Sequence, residues 1–273
     1  MKAATLLKFG GELLEQPEHL ASLASMLSRV AERTRLAVVH GGGREIDAAL
    51  ARVGVPKRQV DGLRVTDEQT MAVVVEVLAG TVNTRFVAAI TAAGGRAVGL
   101  TGADAGLVIV EKAAPHLAAG GQAVDLGLVG KPIDDGTPAL VRDLVAAGYL
   151  PVICSIGVSR DGTLFNVNAD TLAGHLAGRL QVRRLVIAGA TPGVLDGSGH
   201  TVARLDRAGA EAMVQSGVAS AGMIAKLRAS MAALAAGVEE VVLVDGRDAQ
   251  TLASLLEARA GDQSLLPGTR MVA

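Results

Sequence analysis

The chain has 273 residues, half of them apolar, and 26 basic against 27 acidic side chains leave a formal charge of −1. That is enough core for one large α/β domain or two lobes, and the balanced charge argues against nucleic-acid or anionic-membrane partners. A single cysteine, Cys154, rules out an internal disulfide and fits a reducing compartment. No leader-like stretch precedes Thr5-Leu6-Leu7, and apolar runs break well short of the ~20 residues that span a bilayer, so we expect a cytoplasmic globular protein. Aromatics are 1% of the chain, so Val, Leu, Ile and Ala must build the core and aromatic stacking on a nucleotide is not expected.

In chain order, short apolar runs alternate with longer stretches of helical period. Strands are read after Ala4, at Leu36-Ala37-Val38-Val39, Ala97-Val98-Gly99-Leu100, Pro151-Val152-Ile153-Cys154, Leu185-Val186-Ile187 and Val241-Val242-Leu243-Val244. Their continuous apolarity is the pattern of a parallel sheet covered on both faces. Helices are read at about 18–33, 44–53, 67–93, 137–147, 169–179, 207–216, 221–236 and 248–258. The alternation predicts an open, doubly wound α/β fold with right-handed crossovers. Leu107 to Lys112 and Gln122 to Val129 read as a β-hairpin outside the main sheet, and a lobe boundary is expected near 178–184.

Chemistry-bearing segments lie at the ends of these strands. Lys8-Phe9-Gly10-Gly11 follows the first strand, where glycines let backbone N–H groups approach an anion and the lysine adds a charge. His40-Gly41-Gly42-Gly43-Arg44-Glu45 repeats the pattern. It lacks the Gly-Lys-Ser/Thr ending of a Walker A loop, and Ile46 replaces the third glycine of a dinucleotide fingerprint. Asp61 has the spacing that fingerprint wants, but Arg58-Gln59-Val60 makes a poor second strand. Three consecutive glycines favour ligand contact over a plain turn.

Gly62-Leu63-Arg64-Val65-Thr66 puts an arginine fork in an apolar segment, suited to a carboxylate, though a surface ion pair would read the same. In Phe165-Asn166-Val167-Asn168-Ala169-Asp170, alternation places Asn166 and Asn168 on one side, and Asp170 falls where a helix cap would sit. Gly222-Met223-Ile224-Ala225-Lys226 opens a helix whose lysine would otherwise be solvated. The five histidines show no metal-ligand spacing, Ser155 lacks a nucleophile elbow, and Cys154 reads as core.

Taken in order over nearly the whole chain, these segments resemble the amino acid kinase family, most closely its acetylglutamate-phosphorylating branch. Gly148-Tyr149-Leu150-Pro151-Val152 and Gly268-Thr269-Arg270 extend the match. The resemblance implies one domain over 1–273, with an acyl-substrate lobe at about 1–180 and a nucleotide lobe at about 181–273. It implies ATP-dependent phosphorylation of the side-chain carboxylate of N-acetyl-L-glutamate, on the route to arginine, with Mg²⁺ carried by the nucleotide and a homodimeric assembly.

By the same resemblance, Lys8 and Lys226 neutralise the transferring phosphoryl group and Asp170 orients both. Gly42, Gly43, Arg64, Asn166 and Asn168 hold the acyl substrate, and Gly10 and Gly11 cradle phosphates. The nucleotide lies along Ala190, Thr191, Pro192, Gly193, Val194 and Leu195 and near Val218, Ala219 and Ser220.

The chain departs from the family where Ala190 stands in place of the usual aspartate, and where Gly102-Ala103-Asp104-Ala105 lacks a lysine and a glycine. Arginine-inhibited members carry a helix before the first strand. With a strand beginning by about Ala4, free arginine is not expected to inhibit. A kinase for an N-modified aminoadipate, a non-catalytic amino-acid sensor and a dinucleotide-dependent oxidoreductase are the rival readings.

Overall fold

The computed structural model describes residues 5–118, 120–216, 221–258 and 267–272. Eight strands form one sheet: β1 Thr5–Phe9, β2 Leu36–His40, β3 Ala97–Leu100, β4 Leu150–Cys154, β5 Arg184–Gly189, β6 Arg204–Leu205, β7 Glu240–Asp245 and β8 Thr269–Met271. Their spatial order is β6-β8-β7-β5-β1-β2-β4-β3, and every neighbouring pair is parallel except β7 with β8. From β1 the chain builds outward to β2 on one side and later to β5 on the other. The crevice beyond the C-terminal end of β1 is therefore a topological switch point, where open α/β sheets bind ligands.

Side chains alternate between two cores, as a pleat with helices on both faces requires. Leu7, Phe9, Val38, Val152, Val186 and Val242 face one layer. That layer holds helices α1 Pro17–Ala31, α2 Gly43–Arg52 and α3 Glu68–Ala92. Leu6, Val39, Ile153, Leu185, Ile187 and Leu243 face the other. There lie α4 Ala139–Ala146, α5 Ala169–Leu180, α6 Arg207–Gln215 and α7 Ala221–Ala235. The last helix, α8 Ala249–Glu257, returns to the first layer through Leu252, Leu255 and Leu256. Lys8 shares the parity of Leu6, so it points into the second layer, toward α5. The expected helices and parallel strands are present, with boundaries moved by one or two residues.

Helix α3 is long and apolar enough to cross a bilayer by length and composition alone. Here it lies along the sheet, with Val74, Leu78, Val82, Phe86 and Ile90 buried against it. Its middle, Glu76–Asn83, is π-helical, an irregularity common near functional sites. The segment expected as one hairpin is two nested pairs. Val110–Lys112 pairs with Gly130–Pro132, and His116–Leu117 pairs with Ala123–Val124. Gln122 to Val129 is thus not a single strand facing Leu107 to Lys112. The stretch Leu126 to Leu128 instead laces onto Thr66 and Asn166 through backbone hydrogen bonds of 2.6–2.9 Å.

Candidate active site

A cavity of about 250 Å³ opens beyond β1 and β2, lined by Lys8, Gly11, Gly43, Arg64, Asn166 and Asp170 among others. The parity of β1 delivers Lys8, which is 5% exposed, to Asp170 on α5 at Nζ–Oδ1 2.7 Å. From α7, Lys226 reaches the other oxygen at 3.3 Å and is 20% exposed. Burial opposes the charge of Asp170, but the two ammonium groups and their hydrogen bonds outweigh it and hold the carboxyl below its ordinary range. The three groups carry a net charge of +1. A buried carboxylate shared by two lysines fixes both ammonium groups before any ligand arrives.

Sequence position made Asp170 the expected cap of α5. The structure gives that role to Asn168, whose Oδ1 accepts from the N–H groups of Asp170 and Thr171 at 2.9 and 3.0 Å. With the cap supplied two residues earlier, the Asp170 side chain is free to turn toward the lysines. Asn166 donates from Nδ2 to Thr66 Oγ1 at 3.2 Å, which ties the end of one hairpin to the arginine segment.

Arg64 is presented by a two-residue hairpin, Gln59–Val60 against Leu63–Arg64. Asp61 and Gly62 form its turn, both at positive φ (48° and 80°). Asp-Gly between paired strands is a strong hairpin signal. Asp61 is therefore a turn residue bonded to His116 Nε2 at 2.8 Å, and has no part in a dinucleotide fingerprint. The guanidinium of Arg64 is 8% exposed and donates from Nη2 to Asp47 Oδ1 at 2.5 Å and to Gly43 O at 3.1 Å. Its Nη1 is buried with no partner among the described residues. Asp47 is also paired with Lys57 at 2.6 Å, so the trio keeps one uncompensated positive charge. One orphaned donor with one spare charge can accommodate a single carboxylate.

The two glycine turns differ in what they offer. Helix α2 begins at Gly43 without a capping side chain, and a methyl group added there would meet nothing within 4 Å. Its first N–H groups and dipole are thus open to an anion. The N–H of Gly10, by contrast, donates to Ala188 O at 2.9 Å, so only Gly11 is left to meet a phosphate. The turns touch directly: a methyl group on Gly11 would lie 2.7 Å from Gly42 Cα.

Beneath Gly41, His40 is fully buried, a role its lack of ligand spacing did not reveal. Nδ1 donates to Gly41 O at 3.0 Å and Nε2 accepts from Asn83 Nδ2 at 3.0 Å. Burial, more than any other cause, pushes its pKa down to about 4, so the ring is neutral. The folded value lies below the unfolded one, so stability is full above about pH 6.5 and falls as the pH drops toward about 4. At ~1.4 kcal/mol per pH unit, unfolding free energy should fall by about 2 kcal/mol between pH 6.5 and 5. Urea titrations at both values should show this slope, and His40→Gln should flatten it. An equal slope in both proteins would assign the pH dependence elsewhere.

Ala190, Thr191 and Pro192 follow β5 and are exposed, while Gly193 and Val194 are buried under β8. Gly193 has φ 149°, and the N–H of Val194 donates to Thr269 Oγ1 at 2.8 Å. Val218, Ala219 and Ser220 lie outside the described residues. A second cavity, about 560 Å³ between α5 and α7, gathers none of the residues singled out from sequence. Cys154 is core, its thiol pushed up to about 12 by burial.

Residues 4–245 match the model of the Amino acid kinase family. The chain is 41% identical over 263 residues to acetylglutamate kinase of Caulobacter sp. (strain K31), covering 90% of this chain and 84% of that one. It is 40% identical over 257 residues to acetylglutamate kinase of Methanopyrus kandleri, covering 93% and 97%. Among solved structures it superposes with a TM-score of 0.82, at 25% identity, on N-acetylglutamate synthase from Neisseria gonorrhoeae complexed with coenzyme A and N-acetyl-glutamate. The match covers 99% of this chain and spans 59% of that one. Giardia carbamate kinase aligns with a TM-score of 0.68 at 12% identity, over 99% of both chains, a likeness of fold.

Proposed function

We infer, since the chain belongs to the amino acid kinase family, that it uses ATP to phosphorylate the side-chain carboxylate of N-acetyl-L-glutamate, giving an acyl phosphate in arginine biosynthesis. The observation that carries the reading is the Lys8–Asp170–Lys226 array beside an arginine with an orphaned donor.

The acceptor is a carboxylate with an ordinary pKa near ~4.3, so it is ionised at neutral pH and needs no general base. The obstacle is bringing one anion against another. Lys8 and Lys226 offset the charge that builds on the transferring phosphoryl oxygens, and Asp170 holds both at fixed positions. Arg64 takes the α-carboxylate, and Gly42, Gly43, Asn166 and the amide of Asn168 bind the rest of the acyl substrate. Gly11 turns its N–H toward the phosphates. Mg²⁺ arrives as part of the nucleotide substrate and neutralises part of the triphosphate charge.

We place the acyl lobe at about 1–180 and the nucleotide lobe at about 181–273, and we take the enzyme to be a cytoplasmic homodimer. The test is hydroxylamine trapping of the acyl phosphate, with coupled detection of ADP. Acetylglutamate should yield both products in equal amounts. ADP release with no hydroxamate, or a preference for the longer N-acetyl-aminoadipate, would remove this assignment.

Ala190 offers no side-chain acceptor at the nucleotide loop, and the position is exposed. Solvent screening limits what a carboxylate there can add to about 1 kcal/mol. Ala190→Asp should therefore bind MgATP up to about fivefold more tightly in calorimetry, with kcat little changed. Unchanged affinity in a folded variant would mean that aspartate only braces the loop elsewhere in the family.

A further inference from the structure

We propose that Glu12 is a direct ligand of the Mg²⁺ that accompanies ATP, giving this site a protein carboxylate at the phosphate-binding turn. The proposal rests on reading the cavity as an ATP-dependent kinase site.

Glu12 directly follows Gly10-Gly11 and is the middle residue of a single 3₁₀ turn, Gly11–Leu13. Its carboxylate folds back over the turn and fills the space that any side chain at Gly10 would need. It lines the cavity together with Lys8 and Asp170. A methyl group placed on Gly189, at the end of β5, would lie 3.6 Å from Glu12 Oε1 and 3.7 Å from Lys226 Cε. The carboxylate and the Lys226 stem thus flank one spot, where the ends of β1 and β5 meet and the phosphates must pass.

The other acids around the cavity are neutralised: Asp170 by Lys8 and Lys226, Asp47 by Arg64 and Lys57, Glu45 by Arg85. Glu12 has no ion pair or hydrogen bond among the described residues. A bare carboxylate beside a tetra-anionic triphosphate is repulsive at close range. A divalent cation between them reverses that sign, and Mg²⁺ characteristically takes one or two carboxylates with substrate phosphates and waters. The half-exposed side chain can turn about its own torsions to complete such a sphere without moving the backbone.

The experiment is calorimetric titration of ATP into wild type and Glu12→Gln, each with excess Mg²⁺ and again in EDTA. Glutamine keeps the shape and removes the charge. Metal-free ATP should bind the variant more tightly than wild type, because a repelling charge has gone. MgATP should bind it more weakly, so that the gain in affinity conferred by Mg²⁺ shrinks by at least tenfold, the scale on which lost metal-site groups act. With Mn²⁺ replacing Mg²⁺, electron paramagnetic resonance in ¹⁷O-enriched water should count one fewer bound water in the wild-type Mn·ATP complex than in the variant. Tightening by the same factor with and without metal, or equal water counts, overturns the proposal and leaves Glu12 a merely repelling charge. Failure of wild type to bind ATP in either form would instead strike at the kinase reading.

Discussion

Lys8→Ala is expected to lower kcat by about a hundred- to a thousandfold while leaving acetylglutamate affinity nearly unchanged. That is the usual loss when one preorganised group facing transition-state charge is removed. The lysine is buried on β1 and paired with Asp170, and the proposed mechanism gives it the phosphoryl group while Arg64 takes the α-carboxylate. The variant should also melt earlier. Asp170 loses its 2.7 Å partner and keeps only Lys226 at 3.3 Å, leaving a buried carboxylate poorly compensated. Its folded pKa is depressed in the native protein, so the pair stabilises above the unfolded carboxyl pKa and fades as the pH falls through the folded value. Lys8→Ala combined with Asp170→Asn should regain thermal stability without regaining kcat. If kcat recovers with stability, the lysine is structural and the mechanism above is wrong.

Arg64→Lys should weaken acetylglutamate binding by roughly ten- to a hundredfold, the worth of a charge-assisted forked contact. A lysine can keep the ion pair to Asp47, but it cannot also bond Gly43 O and hold a third donor into the cavity. MgATP affinity should stay within about twofold, since the proposed mechanism assigns the arginine to the acyl substrate and not to the nucleotide. Calorimetry on both ligands decides the matter. Equal losses for the two would point to a disturbed fold, and no loss for acetylglutamate would place its carboxylate elsewhere.

The sheet could be read from sequence because strands buried on both faces carry continuous apolar runs, as in Leu36–Val39 and Val241–Val244, and few helices look like that. The glycine turns were equally visible, since three consecutive glycines have few purely structural uses. What escaped depends on contacts across long sequence separations. Nothing local marks His40 as the partner of Asn83, which a π-helical stretch of α3 brings beneath the Gly41–Gly43 turn. Nothing local says that Asn168 and not Asp170 caps α5, because both residue types cap well and only the lysines above decide. The pairing inside residues 110–132 was blurred by strands of two or three residues, too short to show a period. The Asp61-Gly62 dipeptide signals a hairpin turn, and its distance from the Gly41–Gly43 turn masks that signal by mimicking the spacing of a dinucleotide fingerprint.

Gly11 and Gly42 meet backbone to backbone, with no side chain between them that could give way. An anion drawing the first turn into place therefore sets the position of the second, and the converse holds equally. With the first turn on the phosphates and the second on the acyl substrate, as proposed, the site has a mechanical reason to bind the two in concert. Thermodynamic reciprocity then fixes the bargain: whatever factor ATP adds to the affinity for acetylglutamate, acetylglutamate must return to ATP.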